Sequence, residues 1–223
     1  MDIKRLKHKI LAILKYPYFL KEIIISNDVF TGGCGIVFVK KEEVMKVRMK
    51  NREEEIKKEI AKRGFLVLNS LGEEKEKFKY FNKKSVCKLE NNILIMPRIE
   101  GVSLESLIEE DDFFDYFILS IEKLINSNNY HGDFHPGNIL IDNNKEIYFI
   151  DFEYRYNDLL KDLEYEADVL KFIFYIKKYY PNFYSENIEK FQVIFNFFEK
   201  KKLIRAKNIM KNYLKDEIDE IFE

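Results

Sequence analysis

One polar, glycine-rich break constrains this chain more than any other stretch. It covers residues 126–137 and separates a strongly apolar segment from a short apolar hairpin. Upstream, Phe113, Phe114, Phe117, Ile121, Leu124 and Ile125 fall at the spacing of a buried helix face. Downstream, 139–141 and 147–150 read as two strands joined by Asp142-Asn143-Asn144, residues that favour a turn. Across the end of the break the chain reads His131-Gly132-Asp133-Phe134-His135-Pro136-Gly137-Asn138, and the second strand runs into Ile150-Asp151-Phe152-Glu153. A hairpin that starts after Asn138 and ends before Asp151 brings Asp151 back toward Asn138 and Asp133. Two carboxylates and an amide oxygen converging there form a hard-oxygen site. Such a site suits Mg²⁺ that is bound partly by phosphate.

The rest of the chain divides around Pro97. Before it, 22–27, 35–40, 44–48, 86–90 and 93–97 read as strands, and 51–63 reads as a charged helix with Ile56 and Ile60 on one face. Asn91-Asn92 tolerates positive φ and suits the hairpin between the last two strands. From Ser103 onward helices dominate, over 159–180 and then, after Pro181, near 186–200 and 203–221. The 223 residues, 46% hydrophobic and 35% charged, suffice for a buried core. The expected fold is α+β with two lobes, 1–97 being sheet-rich with one helix and 98–223 mainly helical.

Charge and cysteine content exclude several classes. Lys plus Arg is 38 against 39 acidic residues, a net charge of −1, which argues against a globally basic nucleic-acid binder. The basic stretch Lys200, Lys201, Lys202, Arg205, Lys207, Lys211 and Lys215 reads as a solvated helix face. Cys34 and Cys87 cannot build a disulfide framework or a four-ligand zinc site, and a reducing cytosol fits them. No stretch approaches the about 20 apolar residues of a membrane span. Near the N-terminus Leu6, Ile10, Ile13 and Leu14 form an apolar helical stripe between lysines. The stripe is expected to pack on its own domain, with a membrane-surface helix as the alternative.

Asp133 and Asn138 are five residues apart, and Asp151 follows Asn138 by 13. This spacing resembles the catalytic loop and metal-binding Asp of the protein-kinase-like superfamily. His-Gly-Asp-x-His-x-x-Asn with Asp-Phe-Glu is similar to its atypical branch: aminoglycoside phosphotransferases, choline and lipopolysaccharide-sugar kinases, and small RIO-type kinases. The resemblance covers roughly residues 22–175. It implies a two-lobed kinase-like fold and transfer of the γ-phosphate of ATP to a hydroxyl acceptor. Asp133 would orient the hydroxyl and accept its proton, and Asn138 and Asp151 would hold Mg²⁺, with Mn²⁺ as the alternative metal. His135 would reach the transferring phosphate, while His131 would pack the loop in place.

The same resemblance assigns roles upstream. Thr31-Gly32-Gly33-Cys34-Gly35 sits where a phosphate-binding glycine loop belongs, although Phe38 occupies the position of the last glycine. Lys46, in Val44-Met45-Lys46-Val47, would hold the nucleotide phosphates and a helix glutamate, with Glu59 expected ahead of Glu55 and Glu53. Met96, Pro97 and Ile99 would form the adenine hinge, through the Pro97 carbonyl, the Ile99 N–H and Met96 packing. Asp162, with Asp168 as the alternative, would brace the catalytic loop. Gly132 stands where regulated protein kinases carry Arg, Glu153 replaces the glycine after Asp-Phe, and no Ala-Pro-Glu follows. These departures favour a small-molecule or sugar acceptor. An atypical protein serine/threonine kinase and a nucleotide-binding pseudokinase are the alternatives.

Overall fold

The computed structural model describes residues 3–31, 35–48, 71–83, 87–91, 93–152, 160 and 162–214. The expected helix over 51–63, the glycine-loop residues Gly32, Gly33 and Cys34, and Glu153 lie outside them. The chain forms two compact units. The first contains residues 1–62 and 68–99, and the second 63–67 and 100–223.

The first unit is built on a five-stranded antiparallel sheet. Its strands are β1 (Asp28–Thr31), β2 (Gly35–Val39), β3 (Glu43–Arg48), β4 (Lys88–Glu90) and β5 (Ile93–Pro97), in spatial order β1-β2-β3-β5-β4. Alternation along β2 buries Ile36 and Phe38 on one face of the sheet with Met45, Val47 and Ile93, and alternation along β5 buries Leu94 and Met96 on the opposite face, the face of Lys46. Asn91 adopts φ 50° at the β4–β5 turn, as the paired asparagines lead one to expect. Gly35 pairs with Arg48, and a Cβ on it would collide with the Val47 carbonyl oxygen. Strand packing alone therefore requires glycine at this position.

Three helices accompany the described sheet: α1 (Ile3–Lys15), which the N-terminal stripe leads one to expect, and α2 (Leu20–Ile25) and α3 (Leu71–Asn82), which were not expected. The expected strand 22–27 is thus largely helical. Pro17 presets φ for a short 3₁₀ turn that runs into α2, and the Ser26 hydroxyl donates to the Glu22 carbonyl at 2.6 Å. Only Ile23 of the Ile23-Ile24-Ile25 run is buried, which a single helix face achieves and an alternating strand would not. Helix α3 was hidden from pattern reading because its buried face includes Glu74, Lys77 and Asn82 beside Leu71, Phe78 and Phe81. Near it, burial pushes the Cys87 thiol up to about 11, which keeps it protonated.

The second unit packs helices around a three-stranded sheet. Its elements are β6 (Gly101–Ser103), α4 (Phe113–Asn126), β7 (Ile139–Asp142), β8 (Ile147–Phe149), α5 (Glu164–Tyr179), α6 (Pro181–Glu186), α7 (Ile188–Ile194) and α8 (Lys200–Leu214). The β7–β8 hairpin turns as expected, with Asp142 accepting from the Asn144 and Glu146 N–H groups, each at 2.9 Å. Helix α5 starts at Glu164 rather than 159, and Pro181 opens α6 rather than merely separating two helices.

Aromatic packing joins these elements into one core. Phe172 of α5 stacks on Phe117 of α4 at 3.8 Å between ring centres, and lies 5.5 Å from Phe134. Phe134 in turn meets Phe149 of β8 edge-on at 5.7 Å. All four rings are fully buried. Truncating Phe172→Ala opens a cavity that α4, α5 and the loop share. It should cost about 3–5 kcal/mol in urea unfolding.

Candidate functional site

The loop between α4 and β7 is held from two sides. Below it, fully buried His131 packs among Phe134, Phe149 and Phe152, at 5.9, 5.7 and 4.6 Å between ring centres. His131 Nδ1 accepts the Asp133 N–H at 3.2 Å. These contacts give His131 the packing role expected of it.

The other side is helix α5. Asp168 is 3% exposed and accepts the His131 N–H at 2.6 Å and the Gly132 N–H at 2.9 Å. One carboxylate thereby satisfies two successive backbone donors at a point where Gly132 takes φ 86°. Asp162, the expected brace, is exposed at φ 68° before α5 begins, so the bracing residue is Asp168. The difference is geometric. Asp168 lies inside the helix and faces the loop.

Lys171 follows Asp168 by three residues and shares its face. Its ammonium forms an ion pair with Asp133 Oδ1 and donates to the Gly132 carbonyl at 3.1 Å. Sequence reading missed Lys171, although its spacing from Asp168 was a usable signal. Helix α5 therefore offers an anion to the loop's N–H groups and a cation to its carbonyl and carboxylate.

Asn138 closes the loop on itself. Its Nδ2 donates to the Asp133 carbonyl at 3.0 Å and to Asp133 Oδ2 at 3.4 Å. Both bonds use the amide nitrogen, which directs the Oδ1 oxygen elsewhere as an acceptor. The Ile150 N–H donates to the Asn138 carbonyl at 3.0 Å, which sets Asp151 beside the loop. Asp151 itself is exposed and adopts φ 54°, a left-handed backbone that Asp tolerates better than most side chains. The donor set of one amide oxygen and one carboxylate fits a hard divalent cation completed by phosphate and water. Among the described residues, no group of three or more His, Cys, Asp or Glu forms a metal cluster of its own.

His135 sits against the same carboxylate. Its ring stacks on Tyr175 at 4.7 Å and 7°, its Nδ1 accepts the Gly137 N–H at 3.2 Å, and its Nε2 is 3.7 Å from Asp133 Oδ2. Burial is the largest influence and lowers the His135 pKa below 6.5. Asp133 raises it, Lys171 lowers it, and Glu105 and Asp151 raise it. Tyr175, stacked on His135, and Tyr180 both donate to Glu105 Oε1, at 2.7 and 2.8 Å.

In the first unit, the Lys46 ammonium meets Glu74 Oε1 at 2.7 Å, and Arg48 Nη2 meets Glu74 Oε2 at 3.2 Å. Glu74 is 1% exposed. One carboxylate partner of Lys46 is thus on α3. The expected partner Glu59, with Glu55 and Glu53, lies outside the described residues. Arg48 was also missed, although a residue two along a strand shares a face with Lys46. Met96 is buried opposite Val44, Pro97 ends β5 opposite Glu43, and Ile99 is half-buried just beyond it.

Residues 126–174 match the Phosphotransferase enzyme family (APH), which belongs to the protein-kinase-like superfamily. No curated protein matches the chain. The matched stretch holds His131, Asp133, His135, Asn138, Asp151, Asp168 and Lys171 together. The match implies phosphotransfer. The α+β architecture, with a sheet-based first unit and a helical second, is consistent with a kinase-like fold.

Two outcomes test this geometry. Glu74→Ala removes a buried carboxylate from buried Arg48 and half-buried Lys46 and should cost about 3–5 kcal/mol in urea unfolding. The second concerns pH. The His135 pKa is lowered in the folded state, so its contribution is present above about pH 6.5 and is lost as pH falls through the folded value. The wild-type melting temperature should therefore fall more steeply from about pH 7 to about pH 5 than that of His135→Gln.

Proposed function

We propose that the chain is an ATP-dependent phosphotransferase that moves the γ-phosphate to a hydroxyl of a small molecule or sugar. The observation that carries this reading is the fixed Asp133 carboxylate, set by α5 on one side and by Asn138 on the other. Phosphoryl transfer proceeds through a loose transition state, so positioning and charge stabilisation account for most of the catalysis. A carboxylate held this firmly suits an acceptor hydroxyl that must be aligned before its proton is lost.

Asp133 orients the acceptor hydroxyl and takes its proton. Lys171 fixes the Asp133 rotamer through one carboxylate oxygen and leaves the other toward Asn138 and His135. In this reading Lys171 is a positioning residue, and it supplies the cation beside the loop. His135, held neutral by burial, is a hydrogen-bonding group there rather than a charge. Asn138 Oδ1 and the Asp151 carboxylate would hold Mg²⁺, which offsets phosphate charge when bound. Lys46 is assigned to the nucleotide phosphates, oriented by Glu74. Gly32, Gly33 and Gly35 keep the phosphate-loop role and Met96, Pro97 and Ile99 the adenine role, as the resemblance suggests.

The acceptor class rests on chain length. Twelve residues lie between Asp151 and the start of α5 at Glu164. That interval is short for a segment that docks a peptide, which supports a small acceptor over a protein.

The test is transfer from γ-labelled ATP with Mg²⁺ into a fractionated extract of the source cells. Label should enter a small-molecule fraction. Asp133→Ala should lower turnover about 10²–10⁴-fold while MgATP affinity stays near wild type. Label in protein that depends on Asp133 would move the acceptor to a polypeptide. Bound ATP without any transfer that depends on Asp133 would make the chain a nucleotide-binding module.

A further inference from the structure

The N-terminal helices turn apolar side chains away from their own unit. On α1 the core face is formed by fully buried Ala12 and by Tyr16 just beyond the helix, while Ile13 is half-buried. Leu6, Ile10 and Leu14, each one turn from the next, are 40%, 48% and 76% exposed, and Leu11 beside them is 48% exposed. The expectation that this stripe packs on its own domain is corrected for all but Ile13. Helix α2 repeats the arrangement, with Ile23 fully buried while Leu20 and Ile24, four residues apart, are 45% and 62% exposed. The Lys9 ammonium donates to the Ile24 carbonyl at 3.2 Å and ties the two helices together. Tyr18, in the turn between them, is 70% exposed.

Charge is distributed around this apolar face in a particular way. The chain as a whole has a net charge of −1, yet the first 25 residues hold Lys4, Arg5, Lys7, Lys9, Lys15 and Lys21 against Asp2 and Glu22. Arg5 is used internally, paired with Asp28 at 3.1 Å. Lys7, Lys15 and Lys21 are exposed. A surface with apolar ridges and a cationic fringe matches a layer that is apolar inside and anionic at its edge. A second copy fits less well, because an isologous contact would set these lysines against their own counterparts. Long lysine stems lie along apolar surface while their ammonium groups reach headgroups, and tyrosine suits the same depth.

We infer that the α1–α2 face docks on an anionic lipid surface. Leu6, Ile10, Leu14 and Ile24 enter the boundary between headgroups and acyl chains, and Lys7, Lys15 and Lys21 meet the anionic headgroups. The contact lies on the membrane plane. No helix among the described residues is long and apolar enough to cross a membrane. This docking does not depend on the transfer chemistry.

Flotation of the full chain with vesicles tests it. Binding to mixed phosphatidylcholine–phosphatidylglycerol vesicles should be about tenfold or more tighter than to pure phosphatidylcholine, and should weaken as salt rises. Ile10→Ser with Leu14→Ser should reduce binding about tenfold or more without moving the melting temperature, since both residues are exposed. Should the serine pair lower the melting temperature, Lys7→Glu with Lys15→Glu carries the test, and it should abolish the preference for phosphatidylglycerol. Absence of wild-type binding to the mixed vesicles would overturn the inference. So would binding that both variant pairs leave unchanged. A concentration-dependent dimer in analytical ultracentrifugation that the serine pair dissolves would assign the face to a second copy instead.

Discussion

Everything arranged around the loop in the second unit depends on one buried carboxylate. Asp168 takes the N–H groups of His131 and Gly132, which have no strand or helix to satisfy them. An unsatisfied buried N–H costs about 1–3 kcal/mol, so a loop of this shape needs an acceptor brought from elsewhere. Because the acceptor belongs to α5, the loop takes its position from a rigid element anchored in the aromatic core by Phe172. Lys171, from the same helix, then sets the Asp133 carboxylate. The rotamer of Asp133 is thereby determined by packing remote from it.

The first unit solves a similar problem with opposite charge. Lys46 and Arg48 share one face of β3 and converge on Glu74, which is almost fully buried. The arrangement is costly to desolvate and is held by mutual pairing, so it specifies where the Lys46 ammonium sits. In both units a charged group assigned to chemistry is held by an oppositely charged group on a neighbouring helix. Preorganisation of this kind suits a reaction in which placement of groups matters more than covalent chemistry.

Much of this was legible in the sequence, but unevenly. Strands β2, β5 and β7 and the apolar face of α4 follow from periodicity because each buries residues at a regular spacing. Asp133, Asn138 and Asp151 could be grouped because a hairpin between fixed endpoints leaves little freedom. Helix α3 was not legible, since Glu74 and Lys77 look solvated until their partners are known. Helix α2 was misread because Ile23-Ile24-Ile25 favours a strand locally, while Pro17 and the Ser26 cap favour a helical turn. Asp168 and Lys171 contact the loop across more than 35 residues of sequence, so Asp168 entered only through the family resemblance, as the alternative to Asp162, and Lys171 was signalled only by its three-residue spacing from Asp168. The N-terminal stripe was recognised as a stripe, but periodicity gives no sign of which side of a helix the domain will use.

The central claim is that α5, through Asp168, holds the loop in its reactive shape. The most direct measurement is MgATP affinity and ATP turnover in Asp168→Asn, a variant of nearly the same size that replaces one accepting oxygen with a donating amide. The account predicts affinity near wild type and turnover lower by about 10²-fold or more, as for a misplaced catalytic group. Turnover equal to wild type in a folded Asp168→Asn protein would contradict it.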